Sequence, residues 1–175
     1  LRGTEAAGLH VTSVERITEL QAELMADDID IQADLSLLQV QTRDLLGFCE
    51  TRRRLLQLKP NNKLHWMAYA VSNHLAHNVG TALEVIDAFV KTQESAERSR
   101  YEDSELQLYR NQLLEEAGRL GDALAHLDAC EAAVVARLAW RQRRACLLAR
   151  TGDHAAAAVA FRALLADEGA DNYDF

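Results

Sequence analysis

His74 and His77 are the two side chains whose spacing comes closest to that of a metal site. Histidines three positions apart on a helix can bind one transition metal, but zinc sites in proteins use at least three protein ligands. No third ligand is evident in the sequence around this pair. We therefore interpret the two histidines as surface side chains and predict no metal site.

Catalytic and cofactor chemistry is not indicated elsewhere in the chain. Cys49, Cys130 and Cys146 are odd in number and widely separated, which predicts free, buried thiols in a reducing compartment. The sequence lacks the short motifs of phosphate-binding loops, zinc proteases and serine hydrolases. It also lacks the R/Q-x-x-G-x-G/A loop with which acetyltransferases grip acetyl-CoA. We predict that the chain is not an enzyme and binds no cofactor.

A basic run, TRRRLLQLK at 51–59, is the strongest local charge feature. Its cations and the lysine that follows it can neutralise phosphates of RNA or of a soluble polyanion. The candidate residues are Arg52, Arg53, Arg54, Lys59 and Lys63. The alternative is a solvated helix face, with arginines placed favourably near a helix C-terminus. The sequence leaves both interpretations open.

Helices must position these side chains, because the composition favours them over strands. Alanine and leucine are abundant, whereas the 175 residues include one proline and eight glycines. The net charge of −8 argues against DNA binding over the whole surface. No apolar run approaches the roughly 20 residues that a membrane-spanning helix needs, so no membrane association is predicted.

Small residues recur at an interval of 34 positions, from Gly118 to Gly152 and from Ala123 to Ala157. This interval is typical of tetratricopeptide repeats, which are pairs of helices joined by a short turn. Glycine suits the turn, and alanine lets the two helices approach closely. The sequence therefore predicts an all-α fold, a right-handed tetratricopeptide-repeat superhelix of about four repeats.

The repeat pattern also predicts how the chain is divided. The repeat array is expected to occupy 29–171, as repeats at 29–62, 63–96, 104–137 and 138–171 with a loop near 93–103. Residues 1–28 fit the pattern poorly, but an apolar stripe and a capping box predict a helix at 12–25.

The first helix of each repeat is expected to line the concave face, where partners bind. Its predicted surface positions in the first two repeats are mostly apolar and suited to holding a partner helix. The candidate partner-binding residues are Leu37, Val40, Leu64, Met67, Val71 and Leu108. The alternative is that part of this strip belongs to the core between repeats. Trp140, next to several arginines, is expected to be partly exposed.

Several phrases of the sequence resemble the auxiliary subunit of the N-terminal acetyltransferase A complex. They are DLSLLQVQTRDLLGFCETRRRLLQLKP at 34–60, HWMAYAVSNHLAHNVGTALEVIDAF at 65–89, YEDSELQLYRNQLLEEAG at 101–118 and DNY at 171–173. The resemblance covers about residues 28–175 and is most specific in the first two repeats. It implies that the chain is a fragment of a longer, all-helical protein.

The resemblance also implies a function. The family member is a non-catalytic, cytoplasmic scaffold that binds the catalytic acetyltransferase subunit and helps to place it at the ribosome. The alternative is a stand-alone tetratricopeptide-repeat adaptor that binds other proteins and has no connection with acetylation. The repeat periodicity fits both functions, and only the resembling phrases favour the first.

Overall fold

The computed structural model of the chain describes residues 28–92 and 100–168. These residues form eight α-helices and no β-strand, which confirms the all-α prediction. The helices are α1 Ile29–Gln41, α2 Leu45–Leu58, α3 Lys63–Leu75, α4 Val79–Thr92, α5 Arg100–Glu116, α6 Leu120–Ala129, α7 Arg137–Thr151 and α8 His154–Glu168. The predicted helix at 12–25 lies outside the described residues. Residues 100–103 of the predicted loop form the first turn of α5.

The helices pack in pairs within two compact units, which comprise Leu1–Thr92 and Gln93–Phe175. In unit 1, α1 packs on α2 and α3 packs on α4, and α2 also contacts α3. Unit 2 repeats this arrangement with α5 on α6, α7 on α8, and α6 against α7. Short turns within each pair give four helical hairpins in the described residues.

One residue in the turn of every hairpin has a left-handed backbone. Gly118 and Gly152 have φ of 73° and 92°, and Arg43 and His77 have φ of 61° and 60°. Arg43 and His77 are 34 positions apart, like the two glycines. The next N–H in each turn donates to the carbonyl oxygen five residues earlier, as in a Schellman motif, from Asp44 to Gln39, Asn78 to Asn73, Arg119 to Leu114 and Asp153 to Leu148.

We expect Arg43→Gly and His77→Gly each to raise the free energy of unfolding by about 0.5–1 kcal/mol. The left-handed conformation destabilises a residue with a Cβ by about 1–2 kcal/mol. This exceeds the free energy lost through the greater backbone entropy of glycine in the unfolded chain. Gly118→Ala should lower the free energy by about 1 kcal/mol for the same reason. Urea unfolding would measure each change.

Gly121→Ala is the matched control for Gly118→Ala, because both glycines have open space where a Cβ would lie. Gly121 has no positive φ and lies inside α6, so alanine there should stabilise by about 0.5–1 kcal/mol. Equal effects of the two alanines would show that the backbone conformation at residue 118 carries no strain.

The small residues of the repeat lie where paired helices meet. Ala82, Ala123 and Ala157 are buried on the second helices of their pairs. On α5, the buried Asn111 donates from Nδ2 to the carbonyl oxygen of Ala123, 2.7 Å away. A backbone carbonyl is within reach of so short a side chain only because α5 and α6 approach closely.

The first pair achieves its close approach in a different way. The buried Phe48 lies 34 positions before Ala82, so it occupies the repeat position that is alanine in the other three pairs. Its neighbour Gly47 faces the other helix of the pair. A Cβ on Gly47 would lie 2.6 Å from Nε2 of Gln39 and even closer to the carboxylate of Asp44. The small residue of this pair therefore lies one position earlier than in the other pairs.

Trp140 contradicts the prediction that it would be partly exposed. Its side chain is buried, and its Nε1–H donates to the carbonyl oxygen of Leu127 at 2.8 Å. The guanidinium of Arg144 lies 5.9 Å from the ring centroid and covers the indole. Trp140 thus joins α6 to α7 inside unit 2.

Candidate partner-binding surfaces

The predicted apolar strip in unit 1 is largely exposed to solvent. Leu37 on α1 is 54% exposed, and on α3 Leu64 is 68% and Val71 is 40% exposed. Val40 and Met67 are half-buried and border these residues on the same helices. These positions are therefore not simply core between repeats, although the two half-buried side chains also contribute to packing.

Sequence reasoning missed Leu75, which is 47% exposed on α3. Leu64, Met67, Val71 and Leu75 follow the spacing i, i+3, i+7 and i+11, so they share one face of α3. We call these four residues the α3 stripe. The regular spacing was a signal that could have extended the predicted strip by one turn.

Leu108 belongs to a different kind of surface. It lies half-buried on α5 in unit 2, and its carbonyl oxygen accepts a hydrogen bond from Nη1 of Arg143 at 2.7 Å. Nearby, the carboxylate of Glu115 is 3.4 Å from Nε of Arg143 and 2.6 Å from Nη1 of Arg150. This side of unit 2 is an ion-pair network between α5 and α7.

The predicted basic patch is partly neutralised within the protein. Arg53 makes a two-point ion pair with Glu50, at 2.6 Å and 3.0 Å. The guanidinium of Arg52 packs 5.4 Å from the ring centroid of Phe48, and burial lowers its pKa. Arg54 is half-buried, and Lys59 is exposed just after α2. Lys63 is exposed at the first position of α3.

His65 is a neighbour of this patch that the sequence did not indicate. Burial lowers the pKa of its imidazole, and the positive charges of Arg52 and Lys59 lower it further. The imidazole on the first turn of α3 therefore lies near the cations of α2 and of the residue that follows it.

The cysteines and histidines show no arrangement for metal binding. In residues 28–92 and 100–168, no three His, Cys, Asp or Glu side chains are grouped closely enough to hold a metal ion. All three cysteines are free, and Cys130 is buried, which raises the pKa of its thiol. Cys146 is exposed and Cys49 half-buried, so the prediction of three buried thiols was wrong for these two. None of the described helices is long and apolar enough to cross a membrane.

Comparison of the sequence with known proteins identifies one family. The family model described as "N-terminal acetyltransferase A, auxiliary subunit" matches residues 101–175. The chain is 40% identical over 152 residues to the Arabidopsis thaliana N-terminal acetyltransferase A complex auxiliary subunit NAA15, and the aligned region covers 85% of this chain. It is 37% identical over 152 residues to the human N-alpha-acetyltransferase 16, NatA auxiliary subunit, with 86% of this chain covered. The chain spans only 17% and 18% of the lengths of these relatives.

Comparison of structures agrees with the sequence. A chain in the structure of Naa15/Naa10 bound to HypK-THB superposes with a TM-score of 0.85 and 31% identity, over 93% of this chain and 25% of that chain. The tetratricopeptide-like repeats of a kinesin light chain from Podosopora anserina superpose with a TM-score of 0.70 but only 14% identity, over 95% of this chain and 90% of that chain. The second likeness concerns the fold alone. Together they confirm the all-α tetratricopeptide-repeat class.

Proposed function

The chain is a relative of the auxiliary subunit of the N-terminal acetyltransferase A complex, and from this kinship we propose that it is an amino-proximal segment of a non-catalytic scaffold. The observation that carries the proposal is the 40% identity to the Arabidopsis auxiliary subunit over 152 residues. The scaffold binds the catalytic acetyltransferase subunit and holds it at the ribosome in the cytoplasm, where chain N-termini are acetylated as they emerge.

We assign the contact with the catalytic subunit to the apolar strip of unit 1. Leu37 and Leu64 are more than half exposed, at 54% and 68%. Exposed leucines are unfavourable in water and become favourable when a partner covers them. The strip therefore offers a non-catalytic subunit a way to hold another protein.

We assign the contact with the ribosome to the basic patch, with a narrower set of residues than the sequence predicted. Arg53 is engaged by Glu50, and Arg52 packs on Phe48, so Arg54 and Lys59 are better placed to meet phosphates. Such cations position a protein on RNA without reading bases. Their contribution to binding weakens as salt rises, because counterions are released from the phosphates.

The test uses the full-length protein, with co-purification of the catalytic subunit and ribosome co-sedimentation at two salt concentrations. Leu37→Asp with Leu64→Asp should reduce recovery of the catalytic subunit by about tenfold or more and leave ribosome binding intact. Val159→Asp is the matched control, because Val159 is an equally exposed apolar residue of unit 2, at 64%. Circular dichroism would show that each variant is folded.

For the ribosome, Arg54→Glu with Lys59→Glu should weaken co-sedimentation and make it less dependent on salt. Glu50→Gln tests the same surface in the opposite direction, because it releases Arg53 from its ion pair and should strengthen co-sedimentation. If neither subunit nor ribosome is recovered with the unaltered protein, the chain is a stand-alone repeat adaptor. If only the charge variants are without effect, the patch is a solvated face.

A further inference from the structure

His65 lies on the first turn of α3, where the chain has just left α2. Hydrogen bonds fix the connection between the two helices. The backbone N–H of Asn62 donates to the carbonyl oxygen of Lys59 at 3.1 Å, and that of His65 donates to the carbonyl oxygen of Asn62 at 3.0 Å. The indole Nε1–H of Trp66 donates to the carbonyl oxygen of Pro60 at 2.7 Å. The backbone therefore holds His65 and Lys59 close together in a defined turn.

A second cation reaches the imidazole from α2. The guanidinium of Arg52 lies 5.4 Å from the ring centroid of Phe48, and its Nε is buried without a hydrogen-bond partner among the described residues. Burial lowers the pKa of the His65 imidazole, and the positive charges of Arg52 and Lys59 lower it further. The imidazole of the unbound protein is therefore mostly neutral at neutral pH.

The other charged groups of the neighbouring helices do not shift the pKa of this imidazole. The helices that pack on α3 are α2 and α4. On α2 the carboxylate of Glu50 is bound by Arg53 at 2.6 Å. The remaining titratable side chains of the three helices are Cys49, Arg54, Lys63, Tyr69, His74, Glu84, Asp87 and Lys91. Among the charges of the described residues, those of Arg52 and Lys59 are the ones that act on His65.

Phosphates that bind beside Lys59 would change the charge of His65. Their negative charge offsets the positive charges that oppose protonation of the imidazole, so its pKa rises in the complex. Phosphate oxygens also accept hydrogen bonds from the imidazolium, which stabilises its charged form. Linkage then requires that phosphate binding be stronger in acid. The gain is complete below the pKa of the unbound protein and is lost as pH rises through the pKa of the complex.

We propose that His65 is a proton-linked contact of the basic patch, whose imidazole takes up a proton as RNA phosphates bind beside Lys59, so that RNA binding by the patch is stronger in acidic solution. The contact reads no bases, because it requires only a phosphodiester group near the turn between α2 and α3. The inference rests on the proposed function, since it requires the basic patch to bind phosphates. It adds to that function a residue and a dependence on pH.

The test measures binding of an oligouridine of about ten nucleotides to the full-length protein by fluorescence anisotropy, at about pH 5.5 and about pH 8 in one buffer of low salt concentration. Oligouridine without terminal phosphates has the same charge at both pH values, so a change in affinity reports on the protein. The unaltered protein should bind about three- to tenfold more tightly at the lower pH, as expected when the pKa of one group rises by about half a unit to one unit on binding.

His65→Gln should bind like the unaltered protein at about pH 8, because glutamine is polar and uncharged like the neutral imidazole, and it should lose most of the gain at about pH 5.5. His77→Gln is the matched control and should keep the gain, since His77 is an exposed histidine beyond the opposite end of α3. Calorimetry at about pH 6.5, in two buffers of different ionisation enthalpy, measures the protons taken up on binding. The His65→Gln variant should take up fewer protons than the unaltered protein and the His77→Gln variant.

Arg54→Glu with Lys59→Glu, measured in the same assay, separates this inference from the proposed function. If this variant binds oligouridine more weakly but His65→Gln leaves the pH dependence and the proton uptake unchanged, the inference alone is overturned. The same conclusion follows if the unaltered protein binds through the patch with equal affinity at both pH values. If the charge variant binds like the unaltered protein, or if neither binds, the patch is not a phosphate site, and the proposed ribosome contact fails together with the inference.

Discussion

Trp140→Ala is expected to lower the free energy of unfolding by about 3–5 kcal/mol, the range found when large aromatic side chains are removed from protein cores. The indole, on α7, is only 9% exposed and packs against α6 in unit 2. Its removal leaves a cavity and deprives the carbonyl oxygen of Leu127 of a hydrogen-bond donor at 2.8 Å. Arg144 also loses the ring that lies 5.9 Å from its guanidinium.

Thermal and urea unfolding of the single variant would measure this effect. Trp140→Phe is the matched control, because it keeps most of the packing but lacks the N–H, and it should cost about 1–2 kcal/mol. Arg144→Ala should cost about 0.5–1 kcal/mol, as expected for the loss of a half-buried cation over an aromatic ring and of its ion pair with Asp128. A loss below about 1 kcal/mol for Trp140→Ala would contradict the buried position of the indole.

Ala123→Leu is expected to lower the free energy of unfolding by about 1–3 kcal/mol through overpacking. Ala123 is completely buried, at 0% exposure, where α6 meets α5. A larger side chain must push the helices apart, and this would lengthen the 2.7 Å bond from Nδ2 of Asn111 to the carbonyl oxygen of Ala123. Nδ2 of Asn111 would then lack a partner inside the core.

Ala125→Leu provides the control on the same helix, because Ala125 is exposed on α6. Leucine and alanine have similar helix propensities, so this substitution should change the free energy of unfolding by less than about 0.5 kcal/mol. Chemical denaturation of both variants would make the comparison. Similar behaviour of the two variants would mean that the close approach of α5 and α6 does not depend on the small residue.

The core of the fold was predictable because small residues hold the same position in successive repeats, 34 positions apart from Ala123 to Ala157 and 41 apart from Ala82 to Ala123. Ala82, Ala123 and Ala157 are buried as their repeat positions require. Arg43 and His77 could not be recognised as turn residues from their types, since only glycine signals a left-handed backbone. The geometry of helix packing imposes the left-handed conformation in all four turns, but glycine occupies that position only in the two turns of unit 2.

The surfaces were less predictable because they depend on contacts between distant residues. Exposure of Leu37, Leu64 and Val71 agrees with their assigned positions in the repeat. Burial of Trp140 depends on Leu127, thirteen residues earlier, and local sequence does not reveal this contact. The pair of Glu50 with Arg53, in contrast, has the i, i+3 spacing of helical ion pairs and could have been read from the sequence.

The exposed leucines of unit 1, Leu37 on α1 and Leu64 on α3, also have a consequence for the lifetime of the protein in a cell. Leucines that face water add no stability to the folded state until a partner covers them. A partner that binds only the folded form stabilises it in proportion to the logarithm of its concentration. Chains made in excess of their partner would be unfolded more often than bound chains, and they would be degraded first. Under the proposed function, the exposed leucines would thereby adjust the amount of scaffold to the amount of partner available.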